Sequence, residues 1–243
     1  MKNKNLNYKI DPKKFVSPLV VISVVLIIVN TLLHIIQYQF GFSKTIFEEF
    51  FLDEENNIPT YFATFILLIS SLLLMLIGMY HKKSNGKNRF YWNFLSIIFL
   101  VLSIDEMSAL HERLIYYVRI LLNPSGFFYF GWLIPALAMV IILSIVYLKF
   151  FLQLPKKTKY SFLLAAILYL MGVFVLEAIG GNFFESFGGD NLSYAMITTV
   201  EETLEMAGVI VFIYALLDYM RNENIQYVFG EKPELNTEEN KIA

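Results

Sequence analysis

Nine ionisable residues lie within long apolar stretches of this chain: Asp105, Glu106, Glu112, Glu177, Glu201, Glu202, Glu205, His34 and His111. Charged groups are costly in hydrocarbon, so each is a candidate functional group until it is explained otherwise. Carboxylates and neutral imidazoles are ligands for zinc, iron and manganese, and a set of oxygens alone suits calcium. Acids crowded in low dielectric cannot all ionise together, which leaves one to donate a proton and another to accept it.

Spacing groups these residues. A helix turns by about 100° per residue. In SIDEMSALHERL, read as one continuous helix from Ser103, the residues Asp105, Ser108, His111 and Glu112 share a face. Glu106 and Arg113 fall together on another side, where they could pair with each other or with neighbouring helices. In TTVEETLEMAG, from Thr198, Glu201, Glu202 and Glu205 cover about a quarter of the circumference. Glu177 precedes Gly180-Gly181, and Ser23, Asn30, His34 and Gln37 form one polar stripe.

These readings give Asp105, His111, Glu205, Glu177 and His34 as expected metal ligands, and Glu112 and Glu201 as expected general bases. The expected cofactor is a divalent ion: zinc, iron, manganese or calcium. No Glu-x-x-His or His-Glu-x-x-His motif is present to choose among them. The polar residues read otherwise as helix-packing groups include Thr64, Ser71 and Gly78, a small and hydroxylic stripe suited to close helix contact. Met107, Met139, Met171 and Met206 read as core fillers. Trp92, Tyr91, Tyr116, Tyr117 and Trp132 read as interface aromatics. His81 reads as a loop residue, and Asp218 as a solvated acid at a helix end.

The elements that must position such groups follow from hydropathy. Hydrophobic residues make up 57% of the chain and charged residues only 16%, against roughly 45–50% and 25% in soluble domains. Cysteine is absent, which excludes disulfides, thiolate metal sites and cysteine nucleophiles. A net charge of -2 gives no nucleic-acid footprint. A membrane helix needs about 20 mostly apolar residues. Six stretches qualify: 15–39, 61–80, one starting at 90, 127–151, 160–179, and about 195–220. The expected fold is therefore an all-α membrane protein, a bundle of six transmembrane helices.

Orientation follows from basic residues, which concentrate in cytoplasmic segments. Sixteen of the 19 lie on one side of this topology, all but Lys44, Arg113 and Arg119. The reading is N-in and C-in. The division is a basic tail at 1–14, a transmembrane domain at 15–220 and a disordered polar tail at 221–243. The segment 180–190, with four glycines, is expected to be a mobile or re-entrant outer loop.

All the buried acids then fall at similar depth, in the outer half of the membrane, with no second acidic layer below. The expected function is a metal-dependent, hydrolase-like enzyme of a bacterial cell membrane acting on a lipid or membrane-embedded substrate, with the lipid bilayer as its partner. The alternatives are a cation- or proton-coupled transporter and a non-catalytic assembly or sensor protein with a structural charge network.

Overall fold

The computed structural model describes residues 11–83 and 88–225. The expected tails at 1–14 and 221–243 therefore lie largely outside the described residues. Those described form eight α-helices and no strand: α1 (Pro12–Phe40), α2 (Ile58–Lys83), α3 (Arg89–Ser108), α4 (Leu110–Leu122), α5 (Leu133–Gln153), α6 (Lys156–Leu170), α7 (Glu177–Phe187) and α8 (Leu192–Asn222). A π-helical stretch, Met171–Leu176, joins α6 to α7. Among the described residues five helices are long and apolar enough to cross a membrane: Pro12–Phe40, Ile58–Lys82, Arg89–Ser108, Leu133–Gln153 and the continuous Lys156–Phe187. They are compatible with a multi-pass membrane protein.

Helix α8 is the hub, packed against α1, α2 and α6. Its Ile213 and Leu216 are fully buried, and Met206, Ala215 and Leu217 nearly so. Close approach is built in by glycine. A Cβ on Gly208 would stand 2.7 Å from the Tyr169 amide nitrogen and 3.0 Å from the Ala165 carbonyl oxygen, so α6 and α8 touch backbone to backbone there. Helices α2 and α3 pair along the small-residue stripe. Ser71 Oγ donates to the Ser96 carbonyl at 2.8 Å, and Ser96 Oγ donates to that of Ser71 at 2.9 Å. One end of the stripe adds Ser103 Oγ donating to the Thr64 carbonyl at 3.0 Å, and the other sets Gly78 against Asn93. The expectation of close helix packing at Thr64, Ser71 and Gly78 holds.

Several expectations are corrected. The segment 180–190 is not a loop: α7 carries the helix to Phe187, and the turn begins at Gly188, in a positive-φ conformation suited to glycine. Trp92 is fully buried among Phe150, Phe162 and Tyr219 rather than sitting in an interface belt. His81 ends α2, stacks on Trp92 and hydrogen-bonds the Tyr219 hydroxyl at 3.0 Å. Asp218 is buried, not solvated, and ties α8 to Lys157 of α6 at 2.8 Å and to Arg221. Met206 is core, but Met107, Met139 and Met171 are exposed on the apolar outside of the bundle.

The third helix is not continuous either. It stops at Ser108, and Ala109 adopts a left-handed conformation with φ of 48° before α4 begins. A residue with a Cβ is strained there by about 1–2 kcal/mol, and nothing in the local sequence announces the break.

Candidate functional site

The ionisable residues gather at one end of the bundle, where α1, α3 and α7 end and α2, α5 and α8 begin. They do not form one cluster there.

The first group holds Glu55, His111 and Glu112. One ligand atom from each lies within 4.8 Å of the others. Two ligands of one ion, each at ~2.1 Å, stand at most ~4.2 Å apart. Glu112 is the exposed member of the set, and Glu55 and His111 are half-buried. Asp105 stands behind His111. It accepts from the His111 backbone N–H at 2.9 Å through one oxygen and meets Nδ1 at 3.0 Å through the other. It thus satisfies an orphan amide in the first turn of α4 and fixes the ring through Nδ1, so that Nε2 is the nitrogen Asp105 does not engage. The helix break makes this possible: Asp105 and His111 meet across Ala109, not along a helix face.

Charge in this group follows from its contacts. Burial alone would push the His111 imidazole down, but the hydrogen bond and charge of Asp105 prevail and hold it up at about 9. Glu55 is pushed up, first by burial and then by the neighbouring charge of Glu112.

Glu55 lies in the segment 41–57, which folds back over the bundle. Phe51 and Leu52 are buried beneath α1, and the Leu52 amide donates to Asn30 Oδ1 at 2.9 Å. Asn30 in turn donates to Thr199 Oγ1 of α8 at 2.8 Å. His34 of α1 packs on this strap. It is buried against Phe51, with Nε2 3.6 Å from Asp53, whose other oxygen meets Lys44 at 3.4 Å. Burial raises Asp53, but His34 and Lys44 outweigh it and hold the carboxyl below its usual range.

A second group joins α5, α7 and α8. Trp132 Nε1 donates to Glu177 at 2.8 Å, and the Glu201 carboxyl neighbours Glu177. The Trp132 ring also packs on His111, with centroids 5.1 Å apart, which links this group to the first. A third group, Glu106, Glu202 and Glu205, lines a cavity of about 10 Å³ with Tyr169. That is about the space of one water. Gly172 of the π-helical stretch lets α8 approach: a Cβ there would stand 2.7 Å from Glu205 Cγ. Single π-helical turns recur at functional sites. No ion pair joins Glu106 to Arg113 among the described residues.

Of the sequence-derived site, then, Asp105, His111 and Glu112 come together. Glu177 and Glu201 adjoin them through Trp132. Glu205 lines the inner cavity, and His34 holds the strap. Glu55 was missed, because it lies in an acidic loop, FLDEENN, where nothing in the spacing separates it from Glu54.

Fold and site define a class: an all-helical bundle with a carboxylate–imidazole cluster at one end. The chain belongs to the family described as Domain of unknown function (DUF8692), which matches residues 19–220. No curated protein and no solved structure matches it.

Proposed function

We propose that this chain is a bacterial cell-membrane protein of six spans, with both termini cytoplasmic, that binds a divalent metal ion near the outer surface and uses it in a hydrolase-like reaction on a lipid or membrane-embedded substrate. Helix α8 is the sixth span in this reading. Its acids set it apart from the five apolar helices, and its burial shields them from lipid. The asymmetry of basic residues supports the orientation.

One observation carries the metal reading: Glu55, His111 and Glu112 converge, with Asp105 holding the imidazole. A carboxylate behind a ligating histidine is the usual support of such a site. One nitrogen with two carboxylates suits zinc, iron or manganese. The bound ion would supply a Lewis acid and an activated water. In this reading Glu201 and Glu177, which adjoin His111 through Trp132, accept and return the proton.

The test is elemental analysis of the purified full-length protein, wild type against His111→Ala and Glu55→Gln. About one divalent ion per chain in the wild type, lost in both variants, is the expected result. A wild type without metal overturns the reading and favours a cation- or proton-coupled transporter running through Glu106, Glu202 and Glu205, or a structural charge network.

A further inference from the structure

Helix α3 has 20 residues. At 1.5 Å per residue it is ~30 Å long, the thickness of a bilayer's hydrocarbon core. The chain turns at Ala109 where that length is used up, and α4 follows at once. Helix α4 is too short to span.

No residue of α4 is buried, and Tyr116, Ile120 and Leu122 are exposed beside the one apolar stripe that runs its whole length. Leu110, Leu114, Tyr117 and Leu121 recur at helical spacing on one face, and they are 42%, 47%, 62% and 79% exposed. About 180° round the helix, Arg119 lies over the Tyr129 ring at 4.2 Å, and on an adjacent face Val118 packs on Gly131. The protein-facing side of α4 is therefore the one that carries Arg119 and Val118, and the apolar stripe faces away. Exposed Arg113 makes no ion pair among the described residues. An apolar stripe with tyrosine, bordered by an arginine and placed where a span ends, has the chemistry of a helix lying in the membrane–water interface.

We propose that α4 is an interfacial helix whose Leu110–Leu114–Tyr117–Leu121 stripe rests in the bilayer interface and holds His111 and Glu112 at lipid-headgroup depth. This rests on the reading of α3 as a span and deepens the proposed function: the group presented to the metal cluster is the headgroup region of a bilayer lipid, which arrives laterally. It does not depend on a metal being bound.

The absence of cysteine allows single spin labels without background. Leu114→Cys, Tyr117→Cys and Leu121→Cys, with Leu100→Cys and Ile104→Cys in α3 as references, are labelled in the full chain. The labelled proteins are reconstituted in phosphatidylcholine–phosphatidylglycerol nanodiscs. Collision with oxygen, which partitions into lipid, is compared with collision with a water-soluble nickel chelate. The expected result is one shallow depth for all three α4 labels, with oxygen access exceeding nickel access, and greater depth at the α3 references. A depth that changes by ~5 Å per turn along α4 overturns the proposal, because α4 then continues a span. Nickel access throughout α4 overturns it in favour of a water-exposed helix, and spin–spin broadening overturns it in favour of a second copy of the chain. References in α3 that are not deep remove the spanning reading and the proposal with it, while elemental analysis tests the metal separately.

Discussion

Asp105 takes two hydrogen bonds from His111, one from its backbone amide at 2.9 Å and one from its ring at 3.0 Å. A single carboxylate therefore stabilises the start of α4 and sets the direction of the imidazole. Removing it disturbs backbone and ligand together. Asp105→Asn, which keeps the size but loses the charge, is expected to lower metal affinity by about 10–100-fold when compared above about pH 9, where no His111 proton competes, the usual effect of losing such a support. Metal titration of the purified protein checks this, and unchanged affinity refutes it.

The same relationship gives a pH dependence. His111 is held up at about 9, so near neutrality an ion must displace its proton. Affinity should climb by about tenfold per pH unit from neutrality and level off near 9, where the proton is already gone. In Asp105→Asn the climb should end at lower pH. Isothermal titration in buffers of differing ionisation heat reads the displaced proton directly, and the absence of any proton release would contradict the assignment.

Asp53 predicts a separate pH effect, on stability and in the acid range. Its carboxyl is held below the usual range by His34 and Lys44 against the effect of burial. A depressed acid contributes stability that is present above the ordinary carboxylate value, ~3.9, and is lost as pH falls through the folded value. Thermal unfolding in detergent should show wild type above Asp53→Asn by a constant margin near neutrality. That margin should shrink below about pH 4. A margin independent of pH would remove the ion pair as its cause.

Asn30 is fully buried and bridges the Leu52 amide to Thr199. Asn30→Ala leaves that amide unpaired, and the expected cost is about 1–3 kcal/mol. The strap also carries Glu55, so metal content should fall along with Tm. Loss of stability with full metal content would separate the strap from the cluster.

Gly208 meets the backbone of α6, which cannot step aside as a flexible side chain can. Gly208→Ala is expected to destabilise by about 1–3 kcal/mol through overpacking. A detergent unfolding curve equal to wild type would mean that α6 and α8 separate freely.

The sequence determined what depends on one dimension. Runs of apolar residues fix the helices, and distance along a helix fixes depth, so the polar residues of separate helices could be assigned to one end before any contact was known. The stripe Thr64, Ser71 and Gly78 was legible for the same reason, because helical periodicity decides which side chains share a face.

Only tertiary structure decided which polar residues meet. Ala109 breaks α3 without a glycine or proline to mark it, and that break, not periodicity, joins Asp105 to His111. Glu55 reaches the cluster because burying Phe51 and Leu52 under α1 outweighs the cost of ordering a polar loop. Trp92 is core and Asp218 is an inter-helix tie because of what surrounds them. Local sequence sets length and face. Partners across the bundle are chosen by how hydrophobic area and buried polar groups are satisfied together, and that is a property of the assembled helices.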